Sequence, residues 1–249
     1  MRMAAWPLPD PPLRGAALVA VGAALLAVTT AAAVLRTVLS LDPWFLVRPA
    51  LGLACGAVLA VPGLGRHHPL PRLGAANVVT LGRAGLVALL ASLLPEASAD
   101  AAAAVAVGLA SVAIALDGVD GRLARRDGTA SAFGARFDME VDALLMLVLT
   151  ALVWHHAQAG PWVLGAGLLR YGFVAAGALA PWLRKPLPPS RRRQAACVAP
   201  LIGLTAALAP FIPPPASTAL AAAATGVVAW SFAVDTAWLA ARRAAVPSR

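Results

Sequence analysis

The sequence predicts an all-α integral membrane protein of about eight spans, and three observations carry that expectation. The 249 residues are 60% hydrophobic and 12% charged, with a mean hydropathy of +0.79, whereas soluble domains are roughly 45–50% apolar and 25% charged. Apolar runs of about 20 residues, each long enough to cross ~30 Å of hydrocarbon as a helix, recur along the chain. The alternating ~10-residue segments of a membrane β-barrel are missing.

The first run, about 15 to 36, follows Arg14 and ends on Arg36 without a small-residue cleavage site, so it reads as a retained helix and not as a removed leader. The second, about 44 to 63, follows Pro43 and has Pro62 at its end, and the third, about 74 to 95, stops at Pro95. The fourth and fifth, about 101 to 124 and 134 to 157, flank an acidic stretch. The sixth, about 161 to 183, opens on Pro161 and ends before Pro186, Pro188 and Pro189; the seventh, about 195 to 213, reaches Pro213 to Pro215; the eighth covers about 217 to 241. Proline lacks the N–H that a helix interior needs and crowds the preceding turn, so it belongs at such junctions.

Twenty basic residues against 11 acidic give a net charge of +9, yet Lys185 is the one lysine. Most arginines sit at run ends, where the positive-inside rule and contact with anionic head groups account for them; the implied partner is the lipid bilayer, and nucleic acid is not called for. A cytoplasmic N-terminus places Arg14, Arg66, Arg72, Arg122, Arg125, Arg126, Arg184, Lys185, Arg191, Arg192, Arg193, Arg242 and Arg243 on one side, while residues 95–100 and 155–160 opposite hold no Lys or Arg. Arg36 and Arg48 break this pattern. Both termini and the acidic stretch then face the cytoplasm, in the cell membrane. Cys55 and Cys197 stand alone in apolar runs and read as small apolar residues. The pairs His67–His68 and His155–His156 read as interfacial, since neighbours on a helix point about 100° apart and chelate poorly. Trp44, Trp154, Trp162, Trp182 and Trp238 near run ends suit an aromatic belt.

Residues 116–145 hold Asp117, Asp120, Asp127, Asp138, Glu140 and Asp142, six of the 11 acids. Asp117 and Asp120 are three residues apart and Asp138 and Asp142 four, so each pair leaves one side of its helix, within about 60° and 40°. The intervening segment suffices to end one helix, turn at Asp127, Gly128 and Thr129, and start back, so that the pairs confront each other. Carboxylates gathered at the membrane surface need a compensating cation, and an all-oxygen cluster selects Mg²⁺ or Mn²⁺, with two ions suiting four ligands and a phosphate substrate. Gly121 and Gly134 admit two readings: room for a bulky ligand, or close helix packing.

Read together, Asp117, Asp120-Gly121, Ala124-Arg125, Gly134, Asp138 and Asp142 stand at the spacing of the CDP-alcohol phosphatidyltransferase signature, which the chain resembles without departure. A second resemblance is NVVTLGR at 77–83, similar to the Asn-x-x-Thr-x-x-Arg opening of the family's first core helix, with Ala76 where a proline is common. The resemblance implies a six-helix, usually homodimeric core over residues 70–243, preceded by a two-helix region 1–69 and followed by a tail 244–249. It implies transfer of a phosphatidyl-type group from a CDP-linked lipid, normally CDP-diacylglycerol, to the hydroxyl of a small alcohol, releasing CMP. Asp117, Asp120, Asp138 and the adjoining Asp142 are then the metal group, with Asp142 as the base; Asp120, Gly121, Ala124, Arg125, Gly134, Asn77, Thr80 and Arg83 adjoin CDP.

Arg170 lies inside an apolar run, where an arginine usually faces a polar cavity. Arg191, Arg192 and Arg193, near Arg184 and Lys185, form a dense cationic loop. Guanidinium forks suit phosphate oxygens, so a phosphorylated acceptor such as glycerol phosphate or inositol phosphate fits; topology charge on anionic lipid fits the loop equally. Asp235, a lone acid in the last run, is expected to pair with an arginine such as Arg170 or Arg242, or to cap the cytoplasmic end. Two other classes stay in view. A divalent-cation transporter needs acids continuing across the bilayer, which these spans lack, and no internal repeat suggests one. A catalytically silent scaffold of the same fold needs a blocked acceptor pocket.

Overall fold

Eight α-helices make up the described part of the chain, residues 9–70, 72–96, 100–126 and 131–244 of a computed structural model, with no strand among them. They are α1 (Pro11–Leu39), α2 (Arg48–His67), α3 (Ala75–Ser92), α4 (Asp100–Arg126), α5 (Ala132–His155), α6 (Leu164–Leu179), α7 (Arg191–Ala207) and α8 (Pro214–Ala244). Single 3-10 turns at Pro43–Leu46, Pro161–Val163 and Pro181–Arg184 each start on proline, which fixes φ and needs no donor. The expected helices are therefore present, with two shifts of boundary. Pro62, expected at a run end, lies inside α2. The seventh run, expected to reach 213, ends at Ala207, just ahead of Pro210.

Among the described residues, six segments are long and apolar enough to cross a membrane: Pro11–Leu39, Pro43–His67, Ala75–Ser92, Asp100–Val119, Pro161–Leu179 and Pro214–Arg243. The all-α membrane class holds. The two helices outside this set have physical reasons for it. α5 spends its first turns on Arg136, Asp138, Glu140 and Asp142, and α7 has 17 residues and opens on three arginines. The basic stretch 191–193, expected as loop, is thus the first turn of a helix.

The chain forms two compact units, Met1–Asp142 and Ala143–Arg249, the boundary falling within α5. In the first, α3 is packed on α1, α2 and α4. Half of its length is inside the protein, 50%, against 11% for α1, which turns Leu18, Val19, Leu26 and Val38 outward. Small residues set the close approaches. A Cβ on Gly85 of α3 would lie 2.7 Å from Val28 Cγ2 of α1, so only glycine fits this crossing, while Gly52 of α2 faces Ala88. At one end, Leu13 of α1, Leu64 of α2 and Phe133 of α5 form a buried cluster with Leu73 and Phe137 against it. At the other, Arg48 Nη1 donates to the buried Glu96 carboxylate at 2.7 Å and Nη2 reaches Asp42 at 3.4 Å. Arg48, an exception to the charge pattern, is neutralised there.

The second unit packs α8 on α6 and α7. α7 and α8 run antiparallel: Arg192 meets Ser231 and Asp235, and Gly203 faces Leu220 and Ala224. Gly167 of α6 lies against α5, where a Cβ would come within 2.7 Å of the Leu147 Cα.

Candidate active site

Arg83 is fully buried, at 0% exposure, in a chain where burying charge beside hydrocarbon is costly. Its partners explain the position. Nε donates to the Ala113 carbonyl of α4 at 3.2 Å, Nη2 lies 2.9 Å from Asp117 Oδ1, Nη1 donates to Asp138 Oδ1, and Nη2 also donates to Asp142 Oδ1. One planar fork thus gathers carboxylates from α4 and α5, a geometry that a lysine point charge does not provide.

The three acids are partly buried, and one oxygen of each lies within 4.8 Å of the others. As carboxylates they total −3 against +1 from Arg83, leaving −2. A divalent cation would cancel that remainder, and the all-oxygen donor set is the kind that hard ions of this charge take. The residues present therefore fit such an ion. Of the two acid pairs expected to face each other, Asp117, Asp138 and Asp142 do come together. Asp120, Ala124 and Arg125 lie on α4, but their side chains fall outside the described residues, as do Arg122 and the expected turn at Asp127, Gly128 and Thr129.

Asn77, Thr80 and Arg83 succeed one another on α3 at threefold spacing, all buried. Thr80 Oγ1 bonds back to the Ala76 carbonyl at 3.0 Å, and Asn77 Nδ2 donates to the Leu73 carbonyl at 2.5 Å. This leaves Asn77 Oδ1 directed at α5: a Cβ on Gly134 would lie 2.7 Å from it. Close helix packing, one of the two readings for Gly134, is present at this contact. Gly121 is partly buried on α4.

The helix α5 starts on Ser131, whose Oγ accepts from the Gly134 N–H at 3.0 Å, a side-chain cap on the first turn. His68, read as interfacial from sequence, is instead buried, with Nδ1 3.0 Å from that same hydroxyl and Nε2 2.8 Å from the Arg72 carbonyl. Sequence reasoning missed it, because nothing in the pair His67–His68 says which ring turns inward.

In the second unit, Arg192 donates to Ser231 Oγ at 2.8 Å and its carbonyl at 3.1 Å, pairs with Asp235, and lies 5.4 Å over the Trp230 ring. Asp235 thus pairs with Arg192, with Arg193 Nε at 3.9 Å, and not with Arg170 or Arg242 as expected. Arg242 instead stacks on Trp238, 3.6 Å from its ring centre and four residues back on the same helix. The arrangement has an electrostatic reason: three arginines at a helix N-terminus oppose the dipole, and Asp235 brings the anion that end favours. Arg193 also donates to the Pro188 carbonyl, Arg191 is exposed, and Arg170 is half-buried on α6.

No curated protein and no solved structure matches the chain. Residues 73–238 match the family model of CDP-alcohol phosphatidyltransferase, which begins just ahead of α3 and ends within α8. With two thirds of its length in that match, and with the motif's acids Asp117, Asp138 and Asp142 drawn onto one arginine, the chain belongs to the CDP-alcohol phosphatidyltransferase family.

Proposed function

We infer that this protein moves a phosphatidyl group from a CDP-linked lipid, CDP-diacylglycerol, to the hydroxyl of a phosphorylated small alcohol such as glycerol phosphate or inositol phosphate, releasing CMP. The observation that carries the reading is the cluster of Asp117, Asp138 and Asp142 around Arg83, with one oxygen of each acid within 4.8 Å of the others. Mg²⁺ or Mn²⁺, two ions with Asp120 completing the ligand set, would supply positive charge to the diphosphate and to the departing CMP.

The remaining work falls to the chain's own groups. Asp142 takes the proton of the acceptor hydroxyl as its oxygen bonds to the lipid-bearing phosphorus; the bond from that phosphorus to the CMP oxygen breaks, and the electron pair leaves with CMP. Arg83 holds the Asp142 and Asp138 carboxylates in one orientation, so the base is aligned before substrate arrives. Gly121, Ala124, Arg125 and Gly134, with Asn77 and Thr80, are assigned to the CDP side. Arg170 and the arginines at 191–193 are assigned to the acceptor phosphate, Arg191 being the exposed one. The unit is a homodimer in the cell membrane, with the acid cluster and both termini at the cytoplasmic face. Membranes bearing the protein, given radiolabelled CDP-diacylglycerol, Mg²⁺ and each alcohol in turn, are expected to yield CMP and one new lipid with a phosphorylated alcohol. Absence of CMP with every alcohol would reject the reading in favour of a silent scaffold, and Mg²⁺ flux without CMP would favour a transporter.

A further inference from the structure

The residues ahead of the family match, 1–72, contribute a side chain to the helix that carries the base. His68 lies in the link between α2 and α3, buried against Phe133, with ring centres 5.9 Å apart. Its two nitrogens are both engaged, and their partners fix the proton. The Arg72 carbonyl only accepts, so Nε2 carries hydrogen; in the neutral ring Nδ1 then accepts from the Ser131 hydroxyl. That hydroxyl oxygen in turn accepts the Gly134 N–H. The chain of bonds runs Gly134 to Ser131 to His68 to Arg72, with every donor and acceptor in it satisfied.

Ser131, Asp138 and Asp142 are spaced by seven and four residues, so they occupy one side of α5, and Asp138 is about two turns, ~10 Å, from the cap. A first turn that frays swings these carboxylates relative to Arg83. We propose that His68 is a positioning residue for the reaction: by orienting the Ser131 hydroxyl it fixes the start of α5 and, through that helix, the Asp138 and Asp142 carboxylates. The role belongs to the N-terminal extension, with the buried cluster of Leu13, Leu64 and Phe133 holding the same helix end from its apolar side. Its catalytic half rests on the function inferred above; its structural half does not.

The test separates the two nitrogens. Asparagine at 68 carries an oxygen near the place of Nδ1 and keeps the Ser131 bond, whereas glutamine carries its amide near Nε2 and keeps the Arg72 bond. In the purified full chain, amide hydrogen exchange over residues 132–138 is expected to quicken about tenfold in His68→Ala, His68→Gln and Ser131→Ala, the scale of losing one helix cap, and to stay within about twofold of the parent in His68→Asn. The rate of CMP release at saturation is expected to fall by a similar factor in the same three variants, with the KM for the CDP-lipid within about twofold, and the double variant His68→Ala with Ser131→Ala should be no slower than Ser131→Ala alone. A purely structural role would lower the yield of folded protein and leave the rate per folded molecule unchanged. Unchanged exchange in His68→Gln, or equal rescue by Gln and Asn, overturns the proposal, and so do effects that multiply in the double variant. If the parent releases no CMP with any alcohol, the functional reading fails, and the exchange pattern still decides whether His68 holds the helix.

Discussion

Arg83 holds Asp142 through Nη2, the same nitrogen that lies 2.9 Å from Asp117 Oδ1. Two carboxylates on different helices, the one proposed as base and one proposed for the metal group, thus share one donor atom. Removing that atom leaves both carboxylates to face each other.

Replacing Arg83 by alanine is therefore expected to destabilise the protein by about 3–5 kcal/mol, the usual cost of stripping one partner from a buried ion pair. Thermal melting in detergent is the measurement. Adding Asp117→Asn should recover part of the loss, since it lowers the uncompensated charge by one. A variant that melts with the parent protein would mean that Arg83 is not what gathers the acids.

Asp142→Asn is expected to abolish phosphatidyl transfer, by roughly 10²–10⁴-fold for a lost general base, while leaving binding of the CDP-lipid largely intact. Side-by-side turnover and equilibrium binding decide this. Turnover at the parent rate would remove Asp142 from the role of base.

Asp117→Asn should act on metal use. The Mg²⁺ concentration for half-maximal turnover is expected to rise about tenfold or more, and chelation should silence the parent protein reversibly, with Mg²⁺ or Mn²⁺ restoring it. An unchanged Mg²⁺ titration would exclude Asp117 from the metal group.

Gly134→Ala places a methyl 2.7 Å from Asn77 Oδ1, and overpacking of that kind costs about 1–3 kcal/mol. Pairing it with Asn77→Ala removes the obstructing oxygen, so the double variant should melt higher than Gly134→Ala alone. If the second change gives no relief, the tight contact lies elsewhere.

The arginines of α7 should separate by function. Arg192→Ala leaves Asp235 without its main partner and is expected to lower the melting temperature, whereas Arg191→Ala should raise the KM for the phosphorylated alcohol with little effect on melting. Equal melting of the two variants would argue against the division.

Periodicity and composition were enough to place the helices, since runs that must satisfy every backbone group in lipid leave few alternatives. The meeting of Asp117 with Asp138 and Asp142 was likewise legible, because threefold and fourfold spacings fix a helix side whatever the packing. Partner choice was not. That Arg83, expected beside the nucleotide, also gathers the acids depends on how α3 lies against α4, which no local pattern encodes. Asp235 was expected to meet Arg170 or Arg242, but the antiparallel register of α7 and α8 brings Arg192 to it. Pro62 read as a stop because proline usually ends helices in water; among packed membrane helices its missing bond is tolerated, and α2 continues to His67. For His68, the deciding contact is with Ser131, 63 residues away.

The notch at Gly85 has a wider meaning for the architecture. Because the Val28 side chain enters where a methyl group would sit, α1 fits closely against α3 at this crossing, knob into notch. In a bilayer an acyl tail could cover the same apolar surface, so solvation alone does not retain α1; shape does. A protein beginning at residue 70 would accordingly still insert, but with flexible lipid in the keyhole; α3 would lose both α1 and α2 as rigid neighbours, and the buried Glu96 would lose Arg48.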